Sequence, residues 1–226
     1  MTDFSIEPGP LDRAAVMNWR KAERLRIIAE RLSLPAVDRR RHSAAIARHL
    51  NDVLGDLRGR TVGVYWPFRG EPNLRPWMEQ IHAAGAQCAL PVVVERHAPL
   101  AFRTWQPGAL MVAGIWNIPV PADGVDTQPD IVVSPVVGFD RACYRLGYGG
   151  GFYDRTLAAM ACLPTVIGVG FAMSAVATIH PLPHDIPMQF IVTEQECIPG
   201  PHRRVQGNPI AAAAVPDPVV DVRPRN

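Results

Sequence analysis

Apolar positions change their period along this chain. From Val16 to Leu32 the apolar residues Trp19, Ile27, Ile28 and Leu32 alternate with a run of basic side chains, and from Val37 to Leu54 the residues Ile46, Leu50, Val53 and Leu54 recur every three or four positions. That spacing gathers apolar side chains on one face of a helix. Helices are therefore predicted over both stretches, separated at Pro35 and stopped at Gly55. Thr61–Trp66 is instead a short apolar-rich run closed by Pro67, which reads as a buried strand. A third helix is predicted from Leu74 to Ala84, stopped by Gly85, and a second strand over Gln87–Val94 with Pro91 toward its end. Leu100–Trp105 alternates and suits a hairpin or sheet edge, while Ile131–Ser134, Thr165–Gly170 and Phe190–Thr193 complete the strands. A fourth helix is predicted from Phe152 to Ala161.

Strands alternating with helices imply an α/β fold with a mostly parallel sheet covered on both faces. Ligands in such folds collect beyond the carboxyl ends of the strands. The loops at 67–72, 114–119, 138–151 and 180–187 mostly follow strands and are expected to converge there. Residues 106–128 form a long connection without periodicity, and connections of that length tend to be functional. The chain divides into a disordered lead-in (1–15), one α/β domain (16–198) and a Pro/Ala-rich disordered tail (199–226).

Composition narrows the function classes. A net charge of +2 over 226 residues is too slight for bulk nucleic-acid binding, and the basic residues of the first sixty positions read as a solvated helix face. Cys88, Cys143, Cys162 and Cys197 form no C-x-x-C pair, which argues for reduced thiols rather than a zinc site. No stretch approaches the roughly 20 apolar residues of a membrane span. Met1–Pro10 carries Asp3 and Glu7 and lacks the apolar core of a signal peptide, so a soluble, cytoplasmic protein is expected.

The candidate chemistry centres on Arg145-Leu146-Gly147-Tyr148-Gly149-Gly150-Gly151-Phe152-Tyr153-Asp154-Arg155. Four glycines within five positions allow a tight backbone that turns N–H groups toward one small target. The helix beginning at Phe152 adds its own free N–H donors and dipole, a combination that suits phosphate. Arg145 can neutralise phosphate charge, and Asp154 in the first helical turn suits a bridging Mg²⁺. The same residues are also compatible with a glycine-rich surface turn in which Asp154 caps a helix. The loop is neither a dinucleotide fingerprint, which needs glycine where Phe152 stands, nor a P-loop, which needs Gly-Lys-Ser/Thr.

This segment closely resembles the signature of the 5-formyltetrahydrofolate cyclo-ligase family. Gly70-Glu71, Trp116-Asn117-Ile118-Pro119, Pro135 through Phe139-Asp140, Pro183-His184-Asp185 and Val192-Thr193-Glu194 fall in the family's order and approximate spacing, so the resemblance spans about residues 17–196. It implies a three-layer fold like that of the ribose-phosphate isomerase and CoA-transferase group. It also implies an ATP- and Mg²⁺-dependent cyclisation of 5-formyltetrahydrofolate to 5,10-methenyltetrahydrofolate. In that reaction the formyl oxygen is phosphorylated, the folate's N10 attacks the formyl carbon, and ADP and phosphate are released. Such chemistry asks the protein for positioning and charge stabilisation rather than a covalent nucleophile.

Carried onto this sequence, the resemblance implies that Arg145 and Gly147, Tyr148, Gly149, Gly150, Gly151, Phe152 and Tyr153 hold ATP, and that Arg145 and Asp154 are catalytic. Asp154 and Asp185 are the implied Mg²⁺ ligands. Glu71 would accept hydrogen bonds from the pterin, with Trp66, Trp116, Tyr148 and Phe152 on the folate. The family's Lys-then-Arg pair on the first helix has its counterpart in Arg20 and Arg24, with Lys21 the alternative to Arg20. Asn73-Leu74 replace an acidic-threonine pair, Gln189 stands where aspartate is common, and Gly150 where some relatives carry a basic residue. The expected partners are 5-formyltetrahydrofolate and ATP, with neither nucleic acid nor membrane, in a monomer or weak homodimer. The alternatives are a weakly catalytic folate- or nucleotide-binding regulator and another phosphoryl-transfer enzyme on the same scaffold.

Overall fold

A computed structural model describes residues 12–201. The first eleven residues and residues 202–226, which hold most of the expected lead-in and tail, lie outside the described residues.

Two long helices open the fold, α1 (Arg13–Ser33) and α2 (Ala36–Leu54). α1 begins within the stretch expected as lead-in, because Asp12 caps it: its Oδ1 accepts the Ala15 N–H at 2.7 Å. The remaining elements are β1 (Thr61–Gly63), α3 (Arg75–Ala83), β2 (Gln87–Val92), β3 (Ala101–Trp105), β4 (Met111–Ala113), β5 (Pro119–Pro121), β6 (Asp126–Thr127), β7 (Ile131–Pro135), β8 (Gly138–Phe139), β9 (Arg145–Leu146), α4 (Phe152–Ala159), β10 (Thr165–Val169), β11 (Phe190–Val192) and β12 (Cys197–Pro199).

Eight strands form one sheet in the order β12-β11-β10-β7-β1-β2-β3-β6. The five central strands run parallel, and β12, β3 and β6 are antiparallel additions at the edges. Alternation along each strand divides the side chains between two faces. Val62, Cys88, Leu90, Ile131, Val133, Ile167, Val169, Phe190 and Val192 pack with Ile46, Leu50 and Val53 of α2 and with Trp77, Met78 and Ile81 of α3. On the opposite face, Val166 and Ile191 meet Leu157 of α4, and Ala89, Phe102 and Val132 meet Tyr153. Helices thus cover both faces, as the alternation of elements predicts.

α1 takes a third position. Ile27 packs with Val137, Leu146 and Ile179, all in segments beyond the carboxyl ends of the strands. Gly138 permits the close approach, since a methyl group there would lie 2.9 Å from Ile27 Cδ1. The first helix is therefore laid across the end of the sheet where ligands bind in such folds.

Three expectations need correction. The strand predicted over Thr61–Trp66 ends at Gly63, and Tyr65 instead helps to close the following loop by donating its hydroxyl to Pro72 O at 2.8 Å. The connection 106–128 is not irregular throughout: β4 and β5 pair as a hairpin around a 3₁₀ turn at Ile115–Asn117, and β6 joins the main sheet. β12 extends the ordered fold beyond the last predicted strand, to Pro199. Among the described residues no helix is long and apolar enough to cross a membrane.

Candidate active site

At the carboxyl ends of the central strands lies a cavity of about 580 Å³. Its walls come from the 65–71 loop, the end of β2 and the residue after it, the β4–β5 hairpin, Pro135 and residues 145–154. Three of the four loops expected to converge meet here.

The first wall is built by a tight turn. Arg69 and Gly70 both have positive φ, 46° and 75°, and the Glu71 N–H returns to Phe68 O at 3.1 Å. The Glu71 carboxylate braces the same turn, Oε2 accepting the Phe68 N–H at 2.8 Å. Oε1 is thereby held toward Tyr148, whose hydroxyl donates to it at 2.9 Å. Glu71 is buried, and burial pushes its carboxyl up to about 7, against the opposing effects of the Phe68 N–H, Arg31 and Tyr148. This is an acid poised near neutrality inside a cleft, the profile of a functional carboxyl.

Aromatic rings complete that side. Trp116 and Asn117 both lie in the left-handed region, φ 56° and 59°, where bulky residues seldom sit. Trp116 is 57% exposed and stands edge-on to Phe152, ring centroids 5.7 Å apart. Phe68 and Tyr148 approach at 6.0 Å, and Trp66 meets Trp105 at 6.4 Å. Such surfaces can sandwich a flat heterocycle.

The other side is the glycine loop. The β8–β9 hairpin delivers it, and Asp140 fixes that hairpin by accepting the Ala142, Tyr144 and Ile179 N–H groups. Gly149 and Gly151 have positive φ, 96° and 63°. The loop's hydrogen bonds use its carbonyls: Arg24 Nε donates to Gly147 O at 2.6 Å, Arg155 to Gly150 O, and the Arg155 N–H to Gly151 O at 3.1 Å. Among the described residues no oxygen is paired with the N–H groups of residues 147–151. Unpaired N–H groups followed by the start of α4 form an anion cradle.

Two ion pairs flank the loop. Arg145 is buried, donates to Ile186 O at 3.2 Å, and sets Nη2 2.6 Å from Asp154 Oδ1. That contact is not aligned as a hydrogen bond, so Nη2 keeps an unused donor beside the cavity. Arg20 donates to Asp185 Oδ1 and Oδ2 at 3.3 and 2.5 Å and to the carbonyls of Ile179 and His180. Burial raises the Asp185 carboxyl, but the hydrogen bonds from Arg20 and from the Leu182 N–H outweigh it and hold the group below its ordinary range.

The two aspartates are brought into one neighbourhood: Asp154 Oδ1 accepts the N–H of Ile186, the residue after Asp185. Both are hard oxygen donors, and among the described residues no cluster of three or more His, Cys, Asp or Glu surrounds them. Two carboxylates with the rest of the shell left to water and phosphate is a donor set that suits Mg²⁺.

Of the residues singled out in the sequence, Trp66, Glu71, Trp116, Arg145, Gly147, Tyr148, Gly150, Gly151, Phe152, Tyr153 and Asp154 line the cavity. Arg20, Arg24, Gly149 and Asp185 adjoin it through the contacts above; Arg24 also lies against Gly149. Burial, and next to it the Arg20 charge, lowers the Arg24 guanidinium below its ordinary value. Lys21 is exposed and has no part in these contacts, which favours Arg20 as the first basic residue. The residue that sequence reasoning missed is Arg31, buried on α1 and donating to the Tyr148 hydroxyl at 2.7 Å. Its signal was spacing: Arg20, Arg24, Ile27 and Arg31 follow one helical face at +4, +7 and +11.

Comparison with known proteins identifies the family to which the chain is similar. The profile of the 5-formyltetrahydrofolate cyclo-ligase family matches residues 16–194. A 5-formyltetrahydrofolate cyclo-ligase of Mycolicibacterium smegmatis is 31% identical over 192 residues, covering 80% of this chain and 98% of that protein. The Escherichia coli K12 enzyme of the same name is 37% identical over 142 residues, covering 59% and 77%. The NMR structure of Aquifex aeolicus 5,10-methenyltetrahydrofolate synthetase superposes with a TM-score of 0.71 at 24% identity, covering 84% of this chain and 96% of that one, which is a likeness of fold.

Proposed function

The chain belongs to the 5-formyltetrahydrofolate cyclo-ligase family, and from that membership and the cavity's two unlike walls we propose that it converts 5-formyltetrahydrofolate to 5,10-methenyltetrahydrofolate at the expense of ATP. The observation that carries the proposal is the juxtaposition in one cavity of a buried carboxylate ringed by aromatics and an unpaired glycine loop flanked by arginine. The first suits a pterin, which presents N–H donors at the edge of a flat ring; the second suits a polyphosphate. We also carry forward the ribose-phosphate isomerase and CoA-transferase type of fold, supported by the mostly parallel sheet covered on both faces.

In this reading Glu71 accepts the pterin N–H groups, while Trp116, Phe152, Tyr148 and Trp66 pack against the ring and its aryl extension. The loop N–H groups of 147–151 and the free donor of Arg145 hold phosphate oxygens. Arg145 then stabilises the charge that develops as the phosphoryl group passes to the formyl oxygen. Arg20 and Arg24 reach the same phosphates from α1. Asp154 and Asp185 would hold Mg²⁺, whose chemistry here is to neutralise phosphate charge and align it for transfer. Each aspartate is paired with an arginine, so phosphate bound at the arginine would leave the carboxylate free to hold the metal. After transfer the substrate's N10 closes the ring and expels phosphate, and the cavity's task is to keep that nitrogen beside the activated carbon.

The test is direct. Purified protein with 5-formyltetrahydrofolate, ATP and Mg²⁺ should form the methenyl product, followed by its near-UV absorbance, with one ADP per turnover. ATP binding without product would reject the cyclo-ligase assignment and favour a folate- or nucleotide-binding regulator.

A further inference from the structure

Arg31 is 1% exposed, and among the described residues its polar contacts include no carboxylate. It donates to Arg69 O at 3.0 Å, to Val136 O at 3.4 Å and to the Tyr148 hydroxyl at 2.7 Å. An unbalanced buried cation is costly. The balancing charge stands behind the phenol: Glu71, itself buried, accepts the same hydroxyl at 2.9 Å. With Glu71 ionised the polarity of the chain is forced, because a guanidinium has no acceptor and a carboxylate no proton. Arg31 donates to the phenol oxygen and the phenol donates to Glu71. The three residues come from α1, the glycine loop and the turn after β1, so one relay ties together three walls of the site.

We propose that Arg31 is a positioning residue that acts through Tyr148, keeping Glu71 an oriented, ionised acceptor for the substrate's ring N–H groups. The proposal rests on the folate reading above. Four groups face Glu71: Arg31 from α1, Tyr148 from the glycine loop, Tyr65 after β1 and Tyr153 on α4. Burial raises all three phenols, so they stay neutral and Arg31 supplies the only charge among the four. Removing either the charge or the bridge lets Glu71 take up a proton at higher pH, and a protonated Glu71 has lost an acceptor for the ring.

The experiment follows the Glu71 carboxyl by ¹³C NMR in the full-length protein without substrates, together with the Michaelis constant for 5-formyltetrahydrofolate across pH. Arg31→Gln and Tyr148→Phe are each expected to move the Glu71 titration upward by about one pH unit and to raise that constant about tenfold at pH 7. The constant for ATP should change far less. The double variant should be no worse than the more severe single one, because both lesions cut one relay. Arg31→Lys should restore part of the titration. The proposal is overturned if Tyr148→Phe leaves the titration in place, if the two effects add, or if Lys does no better than Gln. Should Arg31→Gln fail to fold, Tyr148→Phe alone and combined with Arg31→Lys make the same comparison. Absence of turnover in the unaltered protein would reject the cyclo-ligase assignment, while the NMR measurement would still decide the role of Arg31.

Discussion

Arg20 and Asp185 form a two-pronged ion pair across 165 residues of sequence, tying α1 to the loop that follows Ile179. Arg145 and Asp154 repeat the theme on the other flank of the glycine loop. In both cases a cation suited to phosphate is stored against an anion suited to a metal. The two pairs keep four charged groups in a partly dry site without leaving any of them uncompensated.

Asp154→Asn tests the second pair. Asparagine preserves shape and the acceptor for the Ile186 N–H, but it removes the charge facing Arg145 and weakens the proposed metal ligand. Turnover is expected to fall about 10²-fold or more, with a larger Mg²⁺ requirement, while the folate constant changes little. Steady-state rates over a Mg²⁺ series check this; an unchanged Mg²⁺ dependence would remove Asp154 from the metal site.

Arg20→Met tests the first pair and has a pH signature. Breaking a buried pair on one side costs roughly 3–5 kcal/mol, and Arg20 also satisfies two carbonyls. The Asp185 carboxyl sits below its unfolded value, so its contribution is complete above the ordinary aspartate range and is lost as pH falls through the folded value. The gap in melting temperature between the two proteins should therefore be widest near neutrality and shrink below about pH 4. Lys21→Ala, at an exposed position of the same helix, should change stability by less than about 0.5 kcal/mol.

Glu71→Gln works in the opposite direction. A carboxyl raised to about 7 binds its proton more tightly in the folded chain, so stability falls as pH climbs from the unfolded value through that point. Glutamine removes this penalty. The variant should be more stable at pH 8 by on the order of 2–3 kcal/mol, equal to the parent near pH 4.5, and severely impaired in folate binding. Melting curves at several pH values read the first effect and equilibrium titration the second. A variant less stable at pH 8 would show that the buried carboxylate contributes more by its contacts than it costs by its charge.

How much of this was legible in the sequence depended on range. The glycine loop and Asp154 are legible because they share one local motif, Glu71 through the family resemblance, and the long helices because their apolar period runs over many residues. Arg31 was overlooked because a buried arginine in a basic helix looks like a solvated one until its partners, 38 to 117 positions away, are known. β4, β5 and β12 are three residues each, and β5 has proline at both ends. Strands that short have no measurable period, and they owe their pairing to the surrounding fold.

The loop carrying Trp116 offers the sharpest separation of function from stability. Its ring is more than half exposed and touches Phe152 only edge-on, so little burial is lost by truncation. Yet two successive non-glycine residues are held in the left-handed region there, a conformation costing roughly 1–3 kcal/mol each that persists only where the surroundings enforce it. A strained loop presenting a bare indole to an aromatic-lined cavity makes sense as a stacking surface rather than as part of the core. Trp116→Ala is expected to leave the melting temperature nearly unchanged and to raise the Michaelis constant for 5-formyltetrahydrofolate about tenfold, the loss of one stacking and burial contact. Trp116→Phe should recover most of that loss, and intrinsic fluorescence of the unaltered protein should be quenched on folate addition by a component missing from Trp116→Phe. If Trp116→Ala instead melts several degrees lower with unchanged folate kinetics, the ring is a packing element and the folate lies elsewhere in the cavity.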